Sequence, residues 1–317
     1  MDTFRETDKK SVMKVLICYV LWGLLPIFWK LLSSLDSFYI LASRIVWSAV
    51  FCFIIIICCK NTGELKKVLA NRKQMKLLAC SSIMIAINWG AYIYAINSGH
   101  ILDASLAYYM NPLLSIGLGF VFFKEKLKKL QWLAIAIAAT GIMITIITYG
   151  SIPYFALIIG GSFAVYSAIK KNVTCDGLTS TLMEALLLAP IAVLYIAMSE
   201  HGNSGAVGNL NGVQLLLLPA AGIVTSIPLL AFSSGITKVP MSLSGILMYV
   251  NPTLQLMIGV ILYQEKFDLA KGIMFIFVWV ALILFLYSGK RQPEKNKLQL
   301  DQEFVQMQST EIIEKKY

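Results

Sequence analysis

The chain has 317 residues, of which 58% are hydrophobic and only 14% are charged, and its mean hydropathy is +0.73. Soluble domains are about 45–50% apolar and about 25% charged, so a water-soluble fold of this size could not cover so much apolar surface with polar groups. This composition predicts an integral membrane protein and argues against a cytosolic enzyme, a secreted disulfide-rich domain or a disordered chain. The net charge of +10 is carried by short loops, and it therefore indicates membrane orientation and no nucleic-acid partner.

Continuous apolar runs predict transmembrane helices, because about 20 residues are needed to cross about 30 Å of hydrocarbon and the runs do not alternate as lipid-facing strands do. The fold class expected is therefore an all-α integral membrane protein with ten transmembrane helices. The ten runs are 12–32, 38–59, 77–97, 104–123, 130–149, 152–170, 178–199, 213–236, 243–263 and 269–288.

Basic residues are distributed unevenly between the two sides of the predicted membrane. All but four of the 27 Lys and Arg residues lie in the N-terminal segment, in the loops after the even-numbered spans, or in the polar segment after the last span. Cytoplasmic loops are enriched in Lys and Arg. Both termini are therefore predicted to be cytoplasmic, which agrees with an even number of spans.

A sequence repeat divides the chain into two halves. The Tyr-Met-Asn-Pro motif at 109–112 recurs as Tyr-Val-Asn-Pro at 249–252, and Glu125-Lys126 recurs at the same offset as Glu265-Lys266. Because each half holds five spans, an odd number, the second copy would enter the membrane from the opposite side. The predicted organisation is a first repeat over 1–149, an inverted second repeat over 150–288 and a cytoplasmic tail over 289–317. Inverted repeats are typical of secondary transporters.

Two charged residues lie deep within predicted spans, where a charge costs about 2.5–3.5 kcal/mol on insertion scales. Arg44 lies in the second span and Glu184 in the seventh. One interpretation gives Arg44 an anionic group of a substrate to bind and gives Glu184 a role in proton coupling. The other makes both structural, with Glu184 paired to Lys170 or Lys171. The sequence leaves both interpretations open.

Polar and aromatic side chains near the middle of spans are candidates for a central cavity, since a buried hydroxyl, amide or indole N–H needs a partner. The kinks that proline introduces at 112 and 252 would expose backbone carbonyls beside two of them. The predicted substrate-binding residues are Trp22, Arg44, Asn88, Trp89, Tyr92, Tyr109, Asn111, Tyr166 and Asn251.

The sequence contains no catalytic motif of the G-x-S-x-G, H-E-x-x-H or Walker A type. Its two His and six Cys residues do not have metal-ligand spacing, and the cysteines are expected to be reduced thiols. We therefore expect neither an enzyme nor a bound metal or cofactor. Without a Walker A loop, uphill movement of a solute would draw on an ion gradient.

Taken in order, the short motifs of the chain resemble RarD-like permeases of the EamA group, within the drug/metabolite transporter superfamily. The resemblance covers nearly all of residues 15–288. The segments that carry it in the first half are 19–26 (YVLWGLLP), 43–48 (SRIVWS), 88–89, 104–106, 111–113 and 131–134. Those in the second half are 162–166 (SFAVY), Glu184 with 186–190, 225–230 (TSIPLL) and 245–253.

The resemblance implies two inverted five-helix repeats in the bacterial cytoplasmic membrane, around a cavity between spans 1, 3, 4, 6, 8 and 9. It also implies a secondary transporter that moves a small metabolite or drug-like solute by alternating access. Export is the expected direction, and proton coupling is left open. The expected partners are a small-molecule substrate and the lipid bilayer, and a homodimer is left open. The alternatives are a non-transporting membrane receptor or assembly partner and a passive channel.

Overall fold

The computed structural model describes residues 8–150, 153–264 and 269–290, and within this part of the chain every regular element is a helix. The expected all-α fold is thus confirmed. The helices are α1 Lys9–Lys30, α2 Ser37–Cys58, α3 Thr62–Ala70, α4 Arg72–Asn97, α5 Ile101–Phe123, α6 Lys129–Tyr149, α7 Tyr154–Lys170, α8 Gly177–His201, α9 Gly212–Ile236, α10 Met241–Met248, α11 Val250–Met257 and α12 Leu269–Lys290.

Eight helical segments of the described chain are long and apolar enough to cross a membrane, one of them formed by α10, α11 and the π-helical turn Ile258–Leu262 together. Two further apolar helices are shorter, Tyr154–Lys170 and Gly272–Ser288. These ten segments follow the ten predicted runs, and the count of ten crossings stays a prediction. The loop predicted over 60–76 instead contains α3 and the start of α4.

Aspartates cap the equivalent helices α2 and α8 of the two halves. Asp36 Oδ1 accepts hydrogen bonds from the backbone N–H groups of Phe38 and Tyr39, each at 3.0 Å, at the start of α2. Asp176 Oδ1 accepts from the backbone N–H of Thr179 at 2.9 Å at the start of α8. Such caps satisfy backbone donors that the helix itself cannot pair. The two aspartates have the 140-residue spacing that separates Tyr109 from Tyr249 in the repeat.

Packing contacts between helices occur in matching pairs. In each pair, both helices of one contact are replaced by their equivalents in the other half of the chain. Helix α1 packs on α9 as α4 packs on α7, and α5 packs on α7 as the α10–α11 segment packs on α1. Three further contacts join a helix to its own equivalent: α2 with α8, α5 with α10, and α6 with α12. A two-fold axis between two copies produces this pattern. The boundary between the repeats at 149/150 stays a prediction, and Glu265-Lys266 and residues 291–317 of the predicted tail lie outside the described residues.

Close approach of α2 and α9 fixes the position of the helix that carries Arg44. Ser48, one turn after Arg44, donates a hydrogen bond from Oγ to the carbonyl oxygen of Gly222 at 3.1 Å. A Cβ atom built on Gly222 would lie only 2.5 Å from Cβ of Trp47. Only glycine lets the two helices come this near, so Gly222 holds the first half of α2 against the centre of the bundle.

Candidate functional site

A cavity of about 300 Å³ lies in the centre of the helix bundle. It is lined by α1, α4, α5, α7, α9 and the α10–α11 segment, which correspond to the spans expected for it, and also by α2. The lining residues of α1 and α2 reach Trp29 and Ser37, where α1 ends and α2 begins. We call this end of the bundle the cavity end, and the opposite end, where α5 and α7 terminate, the closed end.

Seven of the residues predicted from the sequence line this cavity, and their side chains come from five different helices. They are Trp22, Arg44, Asn88, Trp89, Tyr92, Asn111 and Asn251. Other lining residues were not predicted, among them Trp29, Tyr108, Phe163, Thr225 and Gln255. Tyr108 could have been found, because positions 108 and 111 are three apart on α5 and share a helix face, whereas Tyr109 is turned away.

Three predicted site residues lie outside the cavity lining. The Tyr109 ring meets the Phe275 ring edge to face, with centroids 5.3 Å apart, and its backbone oxygen accepts from the Tyr249 hydroxyl at 3.2 Å. The Tyr166 ring is stacked on Phe232 at 5.9 Å. Glu184 lies beyond Tyr166, which donates its hydroxyl to the Glu184 carboxylate at 3.2 Å.

The Arg44 guanidinium lies between two indole rings of the cavity wall. Its central carbon is 4.3 Å from the Trp89 ring centroid and 5.4 Å from that of Trp29. Cation–π contacts of this kind contribute about 0.5–2 kcal/mol each. Within the described ranges, Arg44 Nε is buried without a hydrogen-bond partner, and no carboxylate lies within 4 Å of the guanidinium. The cation is therefore held by aromatic faces and has no counter-charge of its own.

The amide side chains of the cavity are partly engaged by the protein. Asn88 Nδ2 donates to the Ile159 carbonyl oxygen at 2.7 Å, which ties α4 to α7. Asn111 Oδ1 accepts from Ser115, and Asn251 Oδ1 accepts from Gln255, at 3.3 and 2.8 Å. Each of these oxygens is thus engaged by the residue one turn later, which leaves the amide N–H groups as the available donors.

Aromatic side chains close the cavity on the side of the closed end. We call Tyr19, Phe163, Tyr166 and Phe232 the aromatic layer. Phe163 lines the cavity and lies 5.6 Å from both Tyr166 and Phe232 between ring centroids, and the Tyr19 hydroxyl hydrogen-bonds Ser244 Oγ at 2.7 Å. These rings are buried, and they separate the cavity from the polar groups beyond them.

Beyond the aromatic layer lies a buried ion pair. Lys170 Nζ is 3.0 Å from Glu184 Oε1, and the two residues are 1% and 4% exposed. Ser81 donates to the same carboxylate oxygen at 2.5 Å, and Lys170 also contacts the hydroxyl of Ser180. The pairing of Glu184 with Lys170 is one of the two alternatives that the sequence left open.

A second buried carboxylate joins the two halves at the closed end. Glu125, which follows α5, accepts hydrogen bonds from the backbone N–H groups of Met241 and Ser242 at 2.6 and 2.9 Å, where α10 begins. Nearby, Lys171 Nζ donates to the Val239 carbonyl oxygen at 2.5 Å. Burial lowers the pKa of Lys171 below its ordinary value, an effect that the charge of Glu125 opposes.

Comparison with known proteins identifies the family. The EamA-like transporter family matches residues 9–147. The uncharacterized transporter YojE of Bacillus subtilis is 41% identical over 293 residues, which cover 91% of this chain and 97% of YojE. Protein RarD of Escherichia coli is 36% identical over 285 residues, covering 90% of this chain and 96% of RarD. The chain belongs to the EamA-like transporter family. The resemblance to RarD-like permeases of the drug/metabolite transporter superfamily is confirmed.

A further relative and a solved structure are also similar to this chain. The chloramphenicol-sensitive protein RarD of Pseudomonas aeruginosa is 28% identical over 290 residues, covering 90% of this chain and 96% of that protein. A solved crystal structure at 16% identity superposes with a TM-score of 0.69 and covers 89% of this chain and 99% of its own. The second likeness shows the fold alone. Together with the apolar helices, the family makes this chain a multi-pass membrane transporter.

Proposed function

We propose that this EamA-family protein is a secondary transporter that binds a small solute in the central cavity and exposes it alternately to the two sides of the membrane. The observation that carries the proposal is a mid-bundle cavity that extends to one end of the helices and is closed at the other by the aromatic layer. An alternating-access transporter has such a form in one of its two end states. Family membership and the two-fold pattern of helix contacts between the halves support the same mechanism.

The charge distribution orients this state. The loops at the closed end carry 13 of the 27 Lys and Arg residues, far more than those at the cavity end, so by the positive-inside rule we propose that this end and both termini are cytoplasmic. The cavity then faces the outside of the cytoplasmic membrane. Export, which is the direction we propose, would require a second state in which the aromatic layer parts and the cavity end closes.

The sites proposed for the solute are the seven predicted residues that line the cavity. Tyr109 and Tyr166 act, in this proposal, as packing residues that shape the walls and the closed end. For Glu184, the predicted proton coupling now competes with a second role, which is to lock the closed end by its ion pair with Lys170.

Flux through purified protein in liposomes tests the proposal directly. Vesicles that contain the protein should accumulate a labelled solute from a panel of amino acids, amphenicols, nucleosides and organic acids, with saturable kinetics. Absence of flux for the whole panel, with and without a proton gradient, would contradict transport. Flux that does not saturate would indicate a passive channel, and binding without flux would indicate a receptor.

The two roles of Glu184 differ in one measurement. A proton-coupling carboxylate is needed for uptake driven by a pH gradient but not for exchange of labelled for unlabelled solute. Folded Glu184→Gln protein should then exchange normally and fail to concentrate solute. If Glu184 only locks the closed end, pH-driven uptake and exchange should change by the same factor.

A further inference from the structure

We propose that the solute bound in the cavity is a small organic anion, a carboxylate with an apolar body, and that Arg44 is the residue that binds its charge. This inference rests on the proposed transport function, because it names the class of solute that the same cavity takes. It begins from the charges of the cavity wall. Arg44 is the single ionisable charge among the described lining residues, which include no Asp, Glu, Lys or His.

The Arg44 guanidinium is partly buried in an apolar bundle, which is costly because it has exchanged part of its hydration for aromatic faces without gaining a counter-charge among the described residues. The tryptophans beside Arg44 compensate for part of that loss through cation–π contacts, which are not hydrogen bonds to its N–H groups. Arg44 Nε stays without a partner. A carboxylate supplies two oxygens in the planar geometry that the guanidinium fork matches.

The repeat shows that this missing counter-charge is specific to the cavity end. Arg44 and Glu184 are 140 residues apart and therefore occupy the same position in the two copies, as do Lys30 and Lys170. At the closed end the lysine and the carboxylate form an ion pair at 3.0 Å. At the cavity end both positions are cationic, and the Lys30 ammonium lies 3.5 Å from the Tyr263 ring centroid instead. The carboxylate present in one copy is absent from the other.

Other lining groups suit the same ligand. The amide N–H groups of Asn111 and Asn251 remain available as donors. Trp22 and Phe163 present apolar rings to the cavity. A volume of about 300 Å³ is at the small end for ligand sites. A zwitterion or an organic cation would place its ammonium in a wall that has no carboxylate among the described residues.

Equilibrium binding of matched probes tests this. The purified full-length protein is titrated with benzoate, 3-phenylpropanoate and cyclohexanecarboxylate and with the neutral amide of each, and also with zwitterionic phenylalanine. Quenching of tryptophan fluorescence reports binding, since Trp22, Trp29 and Trp89 line the cavity, and a rise in melting temperature confirms it. At least one carboxylate should bind about tenfold more tightly than its amide, the effect expected of a charge-assisted hydrogen bond.

Variants assign that preference to Arg44. Arg44→Gln should remove the preference, so that each carboxylate binds no more tightly than its amide, and Arg44→Lys should keep part of it, because the charge remains but the fork is lost. Lys30→Gln is the matched control, since it removes a cation from the same end outside the cavity lining and should keep the full preference. Melting curves of all three variants establish that they are folded.

The anion site would be overturned if amides or phenylalanine bind as tightly as the carboxylates, or if no probe binds at millimolar concentration. It would also be overturned if the preference for carboxylates survives in Arg44→Gln or is lost in Lys30→Gln. Failure of the transport proposal looks different. Anion-selective binding without flux in liposomes leaves the anion site in place and contradicts transport. Equal flux of carboxylates and amides supports transport and contradicts the anion site.

Discussion

The surroundings of Arg44 and Glu184 differ sharply, although the two residues occupy the same position in the two repeats, on neighbouring helices. Glu184 accepts hydrogen bonds from three side chains and is closed in by rings. Arg44 Nε has no hydrogen-bond partner in the described chain, and the side chain lines a cavity. The position that is satisfied internally in one half therefore lines a cavity in the other, and it is there that we propose a ligand binds.

The largest effect is expected from breaking the satisfied site. Glu184→Gln leaves Lys170 buried without a counter-charge, which should lower the free energy of unfolding by about 3–5 kcal/mol. Replacing both residues, in a Lys170→Met, Glu184→Gln double variant, should recover much of the loss. Melting of the purified variants measures both effects, with the exposed Lys66→Gln as control. A loss in Glu184→Gln no greater than in the control would show that the ion pair is not important for stability.

The second largest loss of stability is expected from replacing Glu125, the carboxylate that links the two halves at the closed end. Glu125→Ala removes the cap of α10 and three hydrogen bonds, to two backbone N–H groups and the Ser242 hydroxyl. We expect a loss of about 2 kcal/mol, at the upper end for helix caps because the site is buried. Glu125→Gln keeps one acceptor oxygen but turns its NH2 group towards the other backbone N–H donor, so it should recover only part of the loss. Melting of the purified variants measures both effects, and a loss in Glu125→Ala within about 0.5 kcal/mol of zero would show that this carboxylate does not stabilise the closed end.

Smaller losses of stability, similar in the two halves, are expected from removing the equivalent caps of α2 and α8. Asp36→Ala and Asp176→Ala each remove the side-chain cap at the start of one helix and should each cost about 1 kcal/mol of unfolding free energy. Melting temperatures of the two variants check this. A difference greater than about twofold would show that the caps are not equivalent and would weaken the repeat as a basis for comparing the two ends.

The smallest effect, of opposite sign, is expected at Arg44. Arg44→Met removes a partly buried cation that has no carboxylate partner in the described chain and keeps an apolar side chain of similar length, so the ligand-free protein should be stabilised by up to about 1 kcal/mol. Thermal unfolding without added carboxylate measures it. A clear loss of stability would indicate that Arg44 has a structural partner and would argue against a site that awaits a ligand.

Most of the fold could be predicted because apolar runs of helical length are explicit in the sequence. The helix ends could not, since α1 and α4 continue into the basic residues from Lys9 and Arg72. The cavity residues were predicted where a polar or aromatic group interrupts an apolar run. Glu184 stayed ambiguous because its partners come from other helices, with Ser81 103 positions away. The sequence allowed the pair with Lys170 but gave no indication of the contact with Ser81.

The contrast between the two ends is tested most directly by their access to water. Single cysteines are introduced as Leu41→Cys, in the cavity wall, and Ser81→Cys, beside Glu184, in a chain from which the six native cysteines have been removed. A membrane-impermeant maleimide added outside intact cells should label Leu41→Cys and leave Ser81→Cys unlabelled. Labelling of Ser81→Cys as fast as Leu41→Cys, or of Leu41→Cys only from the cytoplasmic side of inverted vesicles, would contradict the account.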